Sequence, residues 1–285
     1  MTNSAPILST SRSSDDASGG PAGLATVDAI ALRDGVPTPR SECVADEVAI
    51  AIEVNGISHA VMLATPLDLE DFALGFLLSE GLIKEPGDLL DVEPEVTPQG
   101  VTLGLTVTQR CLWGFKERRR TLTGRTGCGL CGTESIDQAM RPVAHVDAGA
   151  LRVPAAALSR AMRELAEGQE LQRACGAVHA AAWATAEGQV KLVREDVGRH
   201  NALDKLIGAL VHAGVDAHQG FIVVTSRASY EMVQKTASAG VGLLAAISAP
   251  TRLAIQTAQT AGVTLAGFVR GTNAVLYAHA ERVVS

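Results

Sequence analysis

The stretch Val190–Val211, VKLVREDVGRHNALDKLIGALV, changes period half-way along. Val190–Arg194 reads as a strand. From Leu203 the apolar residues Leu203, Leu206, Ile207, Leu210 and Val211 recur at the spacing of one helical face. Between them lies Arg194-Glu195-Asp196-Val197-Gly198-Arg199-His200-Asn201, in which six of eight residues are charged or hydrogen-bonding. A strand that passes through a polar turn into a helix is the repeating unit of an α/β sheet, and such turns are where these sheets gather ligands. The competing reading is a helix start with acidic caps and local salt bridges.

The same alternation extends outward from this unit. Leu158, Met162 and Leu165 mark a helix. Ala180–Thr185 pairs with Val190–Arg194 around Glu187-Gly188. Phe221–Val224 reads as a short buried strand, followed by a helix near Tyr230–Ala237, a strand at Leu243–Ile247 and a helix at Leu253–Ala261. Strands at Val263–Val269 and Ala274–Tyr277 finish the series. This predicts an α/β domain over residues 141–285, its sheet largely parallel and antiparallel at the edges. Ser226-Arg227-Ala228-Ser229 follows the Phe221 strand, with capping by Ser226 as its plain reading. Arg270-Gly271-Thr272-Asn273 lies between the last two strands, either as a simple hairpin turn or as a positive turn fit for phosphate.

Upstream the texture differs. Glu47–Val54 and Ile57–Leu63 are strand-like runs joined by Asn55-Gly56, a strong type I′ hairpin signal. Asp68 is placed as an N-cap, with Asp71 three residues on. Leu69, Phe72, Ala73, Phe76 and Leu77 form one helical face, and Gly81 stands at C′. Val101, Leu103, Leu105 and Val107 alternate as a strand. These segments predict a small α+β domain over residues 41–140. Residues 1–40 are read as a disordered tail, from a composition rich in Ser, Asp, Gly, Ala and Pro as far as Ala22. No basic segment leads into an apolar core there, which argues against a secretory signal.

With 285 residues the chain has room for one large or two medium domains, and its net charge of −7 argues against a general nucleic-acid binder. The apolar run around Val241–Ile247 is too short to span a bilayer. Five cysteines, Cys43, Cys111, Cys128, Cys131 and Cys175, make no disulfide framework, which points to a reducing cytoplasm.

Two of those cysteines share the run Thr126-Gly127-Cys128-Gly129-Leu130-Cys131-Gly132. Thiols at this spacing can bind one metal, close one disulfide, or let one sulfur act while the other assists. The flanking glycines let another molecule approach the backbone. Lys116, Arg118, Arg119, Arg120 and Arg125 precede the pair, and apolar periodicity fails from Gly114 to Thr133. The expectation is a long mobile connecting loop that carries the CxxC. Nearby positive charge favours thiolate over thiol; an unperturbed cysteine is only about 3% thiolate at pH 7. A structural zinc site usually needs four ligands, and no second CxxC or His pair follows. Persulfide carriage, dithiol–disulfide exchange and a zinc-stabilised chaperone of a partner enzyme all remain open on the residues alone.

Taken together, EVAIAIEVNG (47–56), TPLDLEDFALG (65–75), GCGLCG (127–132), HAA (179–181), REDVGRHNALD (194–204), SRASYEMV (226–233), SAPT (248–251) and TLAGFVR (264–270) resemble the formate dehydrogenase accessory sulfurtransferase family, FdhD. The resemblance covers nearly everything after residue 40. It implies a sulfur carrier that takes persulfide sulfur from a cysteine desulfurase and passes it to the molybdenum cofactor. The cofactor, in its bis(molybdopterin guanine dinucleotide) form, is a bound substrate, sulfurated before insertion into formate dehydrogenase. It implies that Cys128 bears the persulfide, matched by Cys131 as second cysteine. It maps a cofactor-binding turn onto Phe268, Val269, Arg270, Gly271, Thr272 and Asn273. A cytidine-deaminase-like C-terminal domain, without the deaminase zinc signature, and a homodimer are implied as well. No resident metal is expected. The chain departs from the family pattern at Ala174-Cys175-Gly176-Ala177-Val178, ahead of HAA, and in lacking a second basic residue in the turn at Gly271-Thr272-Asn273.

Overall fold

A computed structural model describes residues 22–111 and 143–285. Asn55 and Gly56 take φ of 47° and 74°, as a type I′ turn requires. They join β3 (Val48–Val54) to β4 (Ile57–Ala64) in antiparallel register. Asp34 and Gly35, with φ of 52° and 81°, make the same kind of turn between β1 (Leu24–Arg33) and β2 (Val36–Ala45). The expected tail over residues 1–40 is therefore corrected from Leu24 onward, where the chain forms a two-stranded arm. Residues 1–21 lie outside the described residues. The Asp-Gly pair carried the hairpin signal, while Pro37 and Pro39 obscured the strand, being tolerated only because β2 has a free edge.

β5 (Leu89–Thr97) and β6 (Gly100–Val107) complete a four-stranded sheet of order β4-β3-β6-β5. Ile50, Ile52, Val54, Val101, Leu103 and Leu105 line one face, and α1 (Leu69–Ser79) covers it with Phe72, Ala73, Phe76 and Leu77. Asp68 is the N-cap residue of α1, but in a left-handed conformation and without a side-chain capping bond. Its carboxylate and that of Asp71 turn instead to Arg194, 3.7 and 2.6 Å away, so the expected capping chemistry is replaced by a long-range ion pair. Gly81, with φ 61°, ends the helix as expected.

The second core is built on a six-stranded sheet of order β13-β12-β11-β10-β8-β9. Its strands are β8 (His179–Thr185), β9 (Val190–Asp196), β10 (Gly220–Val224), β11 (Leu243–Ala246), β12 (Thr264–Arg270) and β13 (Asn273–Ala278). β10, β11 and β12 run parallel; β8 is antiparallel to both neighbours, and β13 is antiparallel to β12. A short pair, β7 (Val153–Pro154) with β14 (Val283–Val284), ties the ends of this region together.

α2 (Ala155–Gly168) packs on the sheet through Leu158, Ala161 and Leu165, and the short α3 (Glu170–Cys175) leads into β8. α4 (Arg199–His212) connects β9 to β10, α5 (Tyr230–Ser238) connects β10 to β11 and α6 (Arg252–Ala261) connects β11 to β12. Right-handed crossovers running one way across a sheet place all three helices on one face.

The two cores meet where α1 crosses α4. A Cβ at Gly75 would lie 1.7 Å from the Asp204 carbonyl, and one at Gly208 would lie 2.0 Å from the Asp71 carbonyl. Only glycine permits that approach. Beside it Lys235 Nζ binds Asp204 Oδ1 at 2.8 Å and Ser79 Oγ at 2.9 Å, joining α1, α4 and α5 by buried polar groups.

Candidate functional site

The ends of β9, β10, β11 and β12 bring four turns to one edge of the large sheet, beside the start of antiparallel β8. His179 opens β8 opposite Asp196 at the end of β9. Arg199 and His200 begin α4 after β9. Thr225–Ser229 follows β10, Ile247–Thr251 follows β11, and Phe268–Asn273 links β12 to β13. Backbone hydrogen bonds zip these turns together: Ile247 N–H to the Val224 carbonyl, Ala228 N–H to Ala249, Thr251 N–H to Ala228, and Phe268 N–H to Ser248. Sequence-distant loops thus form one continuous rim at the carboxyl ends of the strands, where open α/β sheets bind ligands.

Asp196 anchors the rim. Its Oδ2 accepts from Lys205 Nζ at 2.7 Å and from Thr65 N–H at 3.0 Å; its Oδ1 accepts from Gly198 N–H at 2.7 Å and Asn201 Nδ2 at 3.0 Å. Asp196 and Lys205 are fully buried. Glu195 reaches the other way and accepts from the N–H groups of Leu171 and Gln172, capping α3 rather than its own helix. The reading of this segment as caps and salt bridges therefore holds for Arg194, Glu195 and Asp196. It holds for His200 too, through an ion pair with Glu231, and fails for Arg199. Arg199 Nε is buried without a hydrogen-bond partner among the described residues, as is Ser229 Oγ, the N-cap side chain of α5. His200 Nε2 stands 2.6 Å from Glu231 Oε2, off the line of a ring N–H bond. Burial, then the positive charges of Arg199 and His200, push His179 below the ordinary histidine range.

The turn singled out in the sequence has a built conformation. β12 bulges between Gly267 and Arg270. Phe268 takes φ 52° and presents its ring at the surface, 42% exposed, while Val269 is wholly buried. Gly267 admits Pro250, whose Cδ would stand 2.9 Å from a Cβ there. Arg270 Nε donates to the Ile247 carbonyl at 2.9 Å, which holds the exposed side chain at the rim. Gly271, Thr272 and Asn273 are exposed, with Gly271 at φ 56°. Arg227 is exposed on the neighbouring turn, and Ser226 Oγ donates to the Arg227 carbonyl rather than capping α5. An aromatic ring, free backbone and arginines on one rim suit an anionic nucleotide. Cys128 and Cys131 lie outside the described residues.

A profile of the FdhD/NarQ family matches residues 45–284. The chain belongs to the FdhD/NarQ family. It is 58% identical over 240 residues to the sulfur carrier protein FdhD of Variovorax paradoxus (strain S110), covering 84% of this chain and 86% of that relative. The FdhD of Bordetella petrii is 52% identical over 246 residues, covering 86% and 87%. A crystal structure of a putative formate dehydrogenase accessory protein from Desulfotalea psychrophila shares the fold, with TM-score 0.70 at 23% identity, over 92% of this chain and 99% of that one. The family match spans both cores, the rim and the CxxC segment. No helix among the described residues is long and apolar enough to cross a membrane.

Sequence reasoning located Arg199, Arg227 and the Phe268–Asn273 turn, and the fold brings their loops to one edge. It missed the buried Lys205 and Lys235, because an amphipathic pattern marks lysine as solvent-facing. Their buried partners are Asp196 for Lys205 and Asp204 for Lys235.

Proposed function

We propose that the chain is a sulfur carrier for the molybdenum cofactor of formate dehydrogenase. The observation that carries this reading is membership of the FdhD/NarQ family across a span that includes Cys128 and Cys131. The Cys128 thiolate attacks the outer sulfur of a cysteine desulfurase persulfide. One S–S bond breaks as another forms, the desulfurase cysteine leaves as thiolate, and Cys128 holds the sulfur with no net redox change. Cys131 then attacks Cys128 Sγ and expels hydrosulfide toward the bound substrate, molybdenum bis(molybdopterin guanine dinucleotide). The resulting Cys128–Cys131 disulfide is reopened by a thiol reductant.

The substrate's nucleotide ends sit on the rim. Phe268 offers a stacking face, Arg270 a charged donor, and Gly271, Thr272 and Asn273 close backbone and hydrogen-bonding groups. In this reading residues 141–285 form a cytidine-deaminase-like domain whose carboxyl edge takes nucleotides, a role that edge also suits on general grounds. The protein works as a cytoplasmic homodimer with a cysteine desulfurase and a formate dehydrogenase as partners.

Intact mass after incubation with a cysteine desulfurase and cysteine tests the first step. The expected result is a gain of one sulfur that disappears in Cys128→Ala. Undiminished cofactor sulfuration by Cys128→Ala in a purified system would overturn the reading.

A further inference from the structure

Ile30 and Leu32, on the β1–β2 arm, are 62% and 72% exposed. A two-stranded ribbon is at best marginally stable by itself in water and needs a packed face. The base of the arm has one. Asp46 N–H donates to the Gly23 carbonyl at 2.9 Å, and α3 packs against β2, whose residues 42–45 are half-buried. The tip is exposed. There Ile30 lies opposite Pro39 and Leu32 opposite Pro37, and these four side chains share one face of the ribbon as an apolar plate. The alternate pairs, Ala29 with Arg40 and Ala31 with Thr38, lie on the other face. Pro37 and Pro39 also lack N–H donors, which disfavours strand addition along the free edge of β2. A second apolar surface is open on the small sheet. Ile50 and Ile52 point into the core beneath α1, so Ala49 and Ala51 point the other way, with Leu63 and Val61 beside them on β4. Leu63 and Val61 are 55% and 54% exposed. Gly100 and Thr102 adjoin the two alanines on β6, so this face is flat enough to take a second layer about 10 Å above it.

We propose that the β1–β2 arm docks on a second copy of this chain, its plate of Ile30, Leu32, Pro37 and Pro39 lying over Val61 and Leu63 on that copy's small sheet, and that the contact is reciprocal. Size selects a second copy over an unrelated protein. The free part of the arm, residues 27–33 paired with 36–42, measures about 24 Å by about 10 Å, so one face offers roughly 250 Å². A single contact of that size buries roughly 500 Å² counting both sides, half of the ~1,000 Å² expected of a specific interface. A two-fold axis repeats the contact and brings the total to about that threshold. It also covers both open apolar surfaces at once, because each copy gives one plate and receives another. The inference rests on the homodimer of the function proposed above and supplies its interface.

Analytical ultracentrifugation and light scattering on the full chain, at micromolar concentration, test this. The wild type is expected at twice the chain mass. The paired substitutions Ile30→Asp with Leu32→Asp, and Val61→Glu with Leu63→Glu, are each expected to raise the dimer dissociation constant at least about a hundredfold. Each pair removes two aliphatic side chains per copy from the contact, worth roughly tenfold or more apiece. All four positions are exposed in the single chain, so circular dichroism is expected to stay that of the wild type. A second measurement does not depend on how the charged variants fold. With Leu32 replaced by photoreactive p-benzoylphenylalanine, irradiation of a mixture of normal and heavy-isotope chains is expected to cross-link position 32 to residues 57–64 of the other chain. A monomeric wild type overturns the homodimer and the exchange together. A dimer that survives both paired substitutions, or cross-links that never join the two isotopes, overturns the exchange and leaves the homodimer standing. Sulfur loading of Cys128 is read separately by intact mass, so failure of the carrier reading gives a different result from either.

Discussion

Asp196 sits at the end of β9 with its carboxylate completely enclosed, and Lys205 is its only cationic partner among the described residues, 2.7 Å away. Asp196→Ala leaves Lys205 Nζ buried with the Thr65 carbonyl as its remaining hydrogen-bond acceptor among the described residues. Removing one partner of a buried pair costs about 3–5 kcal/mol, because the other charge is left uncompensated. Urea unfolding is expected to show that loss, and the double substitution Asp196→Ala with Lys205→Met is expected to recover much of it. A different carboxylate governs acid stability near the first core. Arg110 Nε at 2.6 Å, then Thr108 Oγ1 at 2.7 Å, hold Asp88 well below the usual carboxylate range. A depressed folded value means that the unfolded chain binds the proton first. The stability from Asp88 is therefore complete above the ordinary value of about 4 and is lost as the pH falls through the folded value. Asp88→Asn is expected to flatten the stability–pH curve below about pH 4 and to leave its slope above pH 5 unchanged, as measured by unfolding at a series of pH values.

At the scale of elements, the crossing of α1 and α4 decides how the small sheet meets the large one. Gly75 and Gly208 each place the partner helix's backbone where a Cβ would stand. The contact is backbone against backbone, so no rotamer change can relieve an added methyl. Gly75→Ala and Gly208→Ala are each expected to destabilise the protein by about 1–3 kcal/mol or more through overpacking, despite alanine's better helix propensity. Thermal unfolding checks the sign: a rise in melting temperature would show that the helices part easily. Nothing adjacent to either glycine in the sequence marks the helix that crosses it. The hairpins were different. Asn55-Gly56 and Asp34-Gly35 carry their geometry locally, since positive φ at both turn positions is a property of those residue types. The strands of the large sheet were legible to within a few residues, because β10, β11 and β12 are buried on both faces and appear as short apolar runs.

Across the whole molecule, the proposed function assigns sulfur handling and nucleotide capture to different parts of the chain. Arg270 belongs to the rim of the large sheet, while Cys128 lies in the segment between the two cores. Arg270→Ala is expected to weaken GDP binding about ten- to a hundredfold, one charge-assisted contact, while desulfurase-dependent loading of Cys128 proceeds unchanged. Cys128→Ala is expected to do the reverse. Calorimetry and intact mass on the two variants separate the effects; a joint loss of both in Arg270→Ala would show that they are not separable.

The sequence by itself determined the α/β order of the second half, the hairpin at Asn55-Gly56, the CxxC and the family, because each is written in adjacent residues or in motifs in fixed order. Strand order was beyond it. So was the convergence of residues 179, 199, 227, 229, 250 and 270 on one rim, since that depends on which strands hydrogen-bond and on crossover handedness. The buried fate of Lys205 and Lys235 was likewise a tertiary decision. A lysine is solvated by default, and only the close approach of α1 to α4, permitted by two glycines, encloses acidic partners strong enough to keep those charges inside.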